Sequence, residues 1–199
     1  DHVEVRKRVA RWADDFLDPQ AYVIDDSGFP KDGSDSPGVA RMYSGTLGKV
    51  GNCQIAVSVH AVTDAASVAI NWALFVPESW DDTTTTDADK VAQIRQRRAR
   101  CKIPDGIRHR EKWRLALDML DQITSPPTSD RAEDGAEAGA GAGRGGEERG
   151  EGVGWGLPRR TTVADAGYGD VTGFRLGLEQ RGLPYVVAVK GTTSAHSAD

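Results

Sequence analysis

Apolar positions recur along the chain with two periods. In HVEVRKRVARWADDFL, Val5, Val9, Trp12 and Phe16 fall three or four residues apart. That spacing predicts a helix whose apolar stripe faces a core, with Arg6, Lys7, Arg8 and Arg11 largely elsewhere. DPQ ends it, and AYVID reads as a short buried strand. The segment around Val39–Ser44 predicts a second strand, followed by Gly-rich turn material in GTLGKVGN. CQIAVSVHAVT alternates, with Ile55, Val57, Val59 and Ala61 on one side and Gln54, Ser58, His60 and Val62 on the other. SVAINWALFVP is a further strand, closed by Pro77. Such a succession predicts an antiparallel meander.

DDTTTTDAD then reads as a polar loop and KVAQIRQRRARCK as a basic helix. REKWRLALDMLDQI carries Trp113, Ala116, Leu117, Leu120 and Ile123 on one stripe, which predicts an amphipathic helix. Trp113 reads as core rather than as a platform for a stacked base. Near the C-terminal end, TTVAD is a strand, GDVTGFRLGLEQRG a helix ending at Gly182, and PYVVAVK a last strand. Strand, helix and strand at this spacing imply a parallel pair with a right-handed crossover. The fold class is therefore α/β: a mixed sheet flanked by helices.

Composition adds one break. SPPTSDRAEDGAEAGAGAGRGGEERGEGVGWG is Gly/Ala/Glu low complexity and cannot bury enough apolar surface to offset the entropy of ordering. It predicts a disordered insertion over 126–156, dividing the folded core into parts at 1–125 and 157–199. A chain of 199 residues suits one sizeable domain better than two. The formal net charge is −5, and most of the negative excess lies in that insertion. The remainder is near neutral with one concentrated basic segment. No stretch approaches the roughly 18 apolar residues of a membrane-spanning helix. No signal peptide is expected at the start, and Cys53 and Cys101 lack metal-ligand spacing, as free thiols in a reducing cytosol would. The chain opens on Asp1 rather than Met, as a piece of a longer reading frame does.

The candidate chemistry begins at VIDDSGFPKDG. Asp25 and Asp26 end an apolar run, ahead of an expected Ser-Gly turn, and adjacent carboxylates repel. An Asp before Ser-Gly is often only a turn-former bonding its own backbone. However, TVADAGYGD also ends a strand in Asp, at Asp165. Acids at strand ends of an open α/β sheet project at one edge, where ligands bind. If these strands are neighbours, Asp25 or Asp26 meets Asp165, and close carboxylates need a proton or cation between them. Oxygen-only ligands suit Mg²⁺ or Mn²⁺, and paired ions held by carboxylates serve in-line attack at a phosphodiester. Alternation along the strand leaves the choice between Asp25 and Asp26 open.

The basic run supplies the second feature. Arg95, Arg97, Arg98, Arg100, Lys102, Arg108, Arg110, Lys112 and Arg114 are interrupted by few acids and can follow a phosphate backbone, or form a solvated face. Lys49, Arg159, Arg160 and Lys190 are weaker candidates for phosphate contact. His60, His109 and His196 have no partner at metal spacing, and GTLGKVGN is not a phosphate loop.

In order along the chain, VIDDSGFPKDG, GVARMYSGTLGKVGNCQ, FVPESW, KIPDGIRHREKWRLALDML, VADAGYG and LGLEQRGLPYVVAVKG together resemble the bacterial insertion-sequence transposases of the DDE superfamily. The likeness covers nearly all of the chain outside the insertion. It implies an RNase-H-like core, a Mg²⁺- or Mn²⁺-dependent phosphodiester hydrolysis and strand transfer, and two bound ions. It matches the family's first acid to Asp26, directly before Ser27, and the second to Asp165; Asp25 becomes a neighbour that orients Asp26. The partners it implies are the element's terminal repeats and target DNA, with a homodimer in a synaptic complex, in the cytoplasm and on the nucleoid. The family's third acid is a Glu beyond the last strand, and no residue here matches it. A truncated, non-catalytic DNA-binding remnant is therefore the first alternative. A haloacid-dehalogenase-like phosphohydrolase is the second, although it lacks the Asp two residues after its nucleophile.

Overall fold

In a computed structural model, the structure describes residues 1–127 and 154–194. Among the described residues, six strands form one sheet in the order β2-β3-β1-β5-β6, with β4 also pairing β3. The strands are β1 (Ala21–Pro30), β2 (Ala40–Ser44), β3 (Lys49–Val62), β4 (Ser67–Leu74), β5 (Thr161–Ala164) and β6 (Tyr185–Val187). The helices are α1 (His2–Leu17), α2 (Ala88–Arg100), α3 (Lys112–Thr124), α4 (Ala166–Gly169) and α5 (Thr172–Glu179), with a 3-10 turn at Glu78–Trp80. The mixed sheet flanked by helices is the predicted class. β1 pairs antiparallel with β3 and parallel with β5, and β5 pairs parallel with β6.

β3 organises the sheet by its length. Its first part pairs with β2 and its second with β4, while its other edge carries the whole of β1. β2 therefore shares no ladder with β1, although its end at Ser44 approaches Gly28, and the meander runs β1-β3-β4 with β2 beside it. The alternation of β3 is realised: Ile55, Val57, Val59 and Ala61 are all buried. Val57, Val59 and Ala61 join Tyr22 and Ile24 of β1, Ala116, Leu117, Leu120 and Ile123 of α3, and Phe174 and Leu178 of α5 in one core. Trp113 packs, partly buried, against that core.

Three local expectations are corrected. First, Val5, Trp12 and Phe16 of α1 are exposed, and the helix buries Arg6, Ala10 and Ala13 instead. The two alanines let α1 lie close to the sheet. Arg6 is tolerated inside because its guanidinium donates to Asn71 Oδ1 (2.6 Å) and the Trp72 carbonyl (2.7 Å). Outside, Trp12 and Phe16 stack on each other, ring centroids 5.2 Å apart. Second, there is no turn at Ser27-Gly28: β1 runs on to Pro30, each residue paired with β3. Gly28 permits this, since a Cβ there would stand 2.0 Å from Ser44 Oγ. Third, the last strand is short, and α4, which the sequence reading did not include, follows β5 at once.

The Gly/Ala-rich stretch lies outside the described residues except at its ends, as does His196. Those ends meet at the close of α3: Trp155 donates its amide to the Gln122 carbonyl (2.8 Å) and Gly156 to that of Ser125 (2.9 Å). Trp155 and Leu157 are buried in the main core.

Candidate active site

Register brings the two Asp motifs together. The parallel pairing of β1 with β5 ends at Ile24 opposite Ala164. Asp25 and Asp165 are the next residues of their chains, at the same sheet edge. Beyond that point β1 keeps its antiparallel partner and loses its parallel one, which leaves a cleft. A cavity of about 320 Å³ opens there, lined by Asp25, Asp26 and Asp165 together with Ser44, Lys112 and Tyr168. Their contacts distinguish Asp25 from Asp26. Asp26 shares the inward face of Tyr22 and Ile24, whereas Asp25 is exposed and its Oδ1 accepts the Asp26 amide at 2.7 Å.

Both Asp26 oxygens are engaged. Oδ1 accepts from the Tyr168 hydroxyl at 2.5 Å, and Oδ2 from the Lys112 ammonium at 2.6 Å. Burial, and then the charge of Asp26, raise the Tyr168 phenol far above its ordinary value, so it remains a donor. Asp165 caps α4, its Oδ1 accepting the Gly167 amide at 2.9 Å. Tyr168 sits one turn into α4, so the same short helix that Asp165 starts delivers the hydroxyl to Asp26. Tyr168 was missed in the sequence reading. Its signal was the spacing in DAGY, Asp to Tyr three residues on, which places both at one helix start.

The basic run is drawn largely into the protein. Arg98 is buried and donates to the carbonyls of Trp80 (2.9 Å), Pro104 (2.9 Å) and Ile107 (2.6 Å). Arg97 lies over the Trp80 ring at 3.8 Å and donates to the Ser79 carbonyl. Arg95 and Arg108 both bind Asp82, Arg100 binds Asp35 and Arg110 binds Asp118. The two guanidinium groups hold the Asp82 carboxyl at about 2. Arg95, Arg100, Lys102 and Arg110 keep exposed surface. Arg160 pairs with Asp14 and Asp18, and Lys190 with Asp170. His60 and His109 bond to Ser58 and Ser67 and to the Val76 carbonyl, respectively.

A family model described as DDE superfamily endonuclease matches residues 1–199. The chain belongs to the DDE superfamily of endonucleases. No curated protein and no solved structure matches it. As a DDE endonuclease its chemistry is of the nuclease and transposase type, its substrate class is DNA, and its family generally uses divalent metals. Family membership removes the dehalogenase-like alternative.

The donor set suits such a metal in kind. Asp25, Asp26 and Asp165 offer hard oxygen ligands at one cavity, and Mg²⁺ is ordinarily held by one or two carboxylates plus water and substrate oxygens. A cation, the Lys112 ammonium, already lies against Asp26. Among the described residues, no three His, Cys, Asp or Glu side chains stand together as a preformed metal cage. Among the described residues, no helix is long and apolar enough to cross a membrane.

Proposed function

We propose that this DDE endonuclease is the catalytic core of an insertion-sequence transposase, acting at Asp26 and Asp165. The observation that carries the reading is the shared cavity at the edge where β1 loses its parallel neighbour, lined by both acids. Two Mg²⁺ or Mn²⁺ ions bound there would activate the attacking oxygen and stabilise the leaving one. The chain's own residues fix the donors. β1 and β3 hold Asp26 within a continuous ladder, Asp25 anchors its amide, and Tyr168 orients its Oδ1. Asp165 is set by the start of α4. The scissile phosphate would enter the cavity with its flanking backbone crossing toward α2. There Arg95, Arg100, Lys102 and Arg110 are the exposed cations for phosphate contact. Hydrolysis of element ends, followed by attack of the freed 3′-hydroxyl on target DNA, is the reaction this arrangement serves. The synaptic homodimer and the terminal repeats belong to the same proposal.

A second reading has its own observation. Both Asp26 oxygens are occupied by protein donors and no three-acid group is formed among the described residues. These features suit a chain that binds DNA without turnover. Nicking of supercoiled plasmid in Mg²⁺ or Mn²⁺ separates the two. The catalytic reading predicts metal-dependent nicking, lost in Asp26→Asn and Asp165→Asn while DNA binding persists. DNA binding without nicking in the parent chain would leave the second reading standing.

A further inference from the structure

Lys112 is the first residue of α3, where an ammonium faces the positive end of the helix and is out of place. Its stem nevertheless carries Nζ into the cavity, 2.6 Å from Asp26 Oδ2, with both side chains 30% exposed. No acid of the first turn of α3 compensates it, and Glu111 provides no side-chain cap. The charge that balances Lys112 is thus an Asp that the proposed reaction needs for a metal.

We propose that Lys112 is a substrate-phosphate residue which, in the free protein, is parked on Asp26 in place of the metal. The proposal rests on the two-acid reading above. An ammonium and a divalent ion on one carboxylate oxygen oppose each other, since each places its positive charge beside the other. Metal loading is therefore favoured when Nζ leaves. The lysine stem is long and flexible and pivots from the fixed start of α3, so Nζ can swing within the same cavity. A scissile phosphate is the partner whose charge would receive it, as lysine binds phosphate as a point charge. DNA would then draw Lys112 off Asp26 and open the metal seat, and metal would release Lys112 for DNA. The two ligands promote each other by linkage, and the coupling must be reciprocal.

The test is calorimetric titration of Mn²⁺ into the full chain, alone and with a short DNA duplex. Lys112→Met, and Lys112→Gln as a second neutral variant, are expected to bind Mn²⁺ about tenfold more tightly than the parent without DNA, within the usual range of coupled sites. Lys112→Arg, which keeps the cation, is expected to remain near the parent. Duplex DNA is expected to tighten Mn²⁺ binding to the parent by a similar factor and to leave the neutral variants nearly unchanged. Mn²⁺ binding that Asp26→Asn abolishes but the neutral variants do not alter would overturn the parked lysine and leave the two-acid site intact. Binding insensitive to Asp26→Asn would overturn both. Should neither neutral variant fold, the parent alone decides: equal Mn²⁺ affinity with and without duplex refutes the linkage.

Discussion

Replacing Arg98 by Met tests what the basic run does in the fold. Arg98 is the buried residue of α2, at 4% exposure. Its three carbonyl acceptors belong to the 3-10 turn and to the loop between α2 and α3. Around them lies a small second core of Val39, Val76 and Trp80, so a single guanidinium fastens α2 to that cluster. Methionine fills the stem but donates nothing. Leaving a buried carbonyl unpaired costs roughly 1–3 kcal/mol. The Trp80 oxygen bears this in full, while those of Pro104 and Ile107 are partly reachable by water and count for about half. The sum is about 2–6 kcal/mol, a large share of the roughly 5–15 kcal/mol that holds a typical domain together. For a chain of this size, about 2–4 °C of melting temperature per kcal/mol gives a drop of roughly 4–24 °C. Thermal denaturation followed by far-ultraviolet circular dichroism measures it. Arg95→Ala, whose guanidinium is largely exposed, serves as comparison and should cost under about 1 kcal/mol. The salt dependence of DNA binding should be unchanged by Arg98→Met. A melting shift within about 2 °C would refute the clamp. So would loss of about one unit of salt slope, the mark of a direct phosphate contact.

Gly28→Ala should destabilise by about 1–3 kcal/mol, because the new methyl meets Ser44 Oγ and Cβ; adding Ser44→Gly should recover most of the loss in urea denaturation. Gly177→Ala should cost a similar amount, about 1–3 kcal/mol, since its Cβ would stand 2.3 Å from a Leu117 methyl between α5 and α3. Asp82 gives a pH signature. Its carboxyl, bound by Arg95 and Arg108, is held at about 2, below its unfolded value near 3.9. Its contribution to stability is therefore present above about pH 4 and is lost as pH falls through about 2. Melting temperatures across that interval should fall less steeply in Asp82→Asn than in the parent. An identical slope would exclude Asp82 as the source.

The sheet was legible because its strands carry period-two burial: Ile55, Val57, Val59 and Ala61 alternate in sequence and are buried in fact. The α3 stripe was legible for the same reason at helical period. What escaped was decided by partners far along the chain. The large apolar residues of α1 suggested the wrong face, because hydropathy weighs Trp12 and Phe16 above Ala10 and Ala13. Close approach to the sheet favours the small residues, and a buried Arg6 becomes acceptable only once Asn71 of β4 is beside it. Asp-Asp-Ser-Gly read as a turn because the local residues favour one, yet ten residues of β3 impose a ladder on β1 through them. The Asp pair itself was visible as two strands ending in acid. The parts played by Lys112 and Tyr168 were not, since each reaches Asp26 across 86 and 142 residues of sequence.

Asp26 and Asp165 are proposed to form one metal site. Titration calorimetry of Mn²⁺ into the parent chain, Asp26→Ala and Asp165→Ala tests it most directly. Saturable binding to the parent that each substitution abolishes is expected, with both variants still folded by circular dichroism. Binding that survives either substitution unchanged would contradict it, and the cavity at the end of β5 would then be no metal centre.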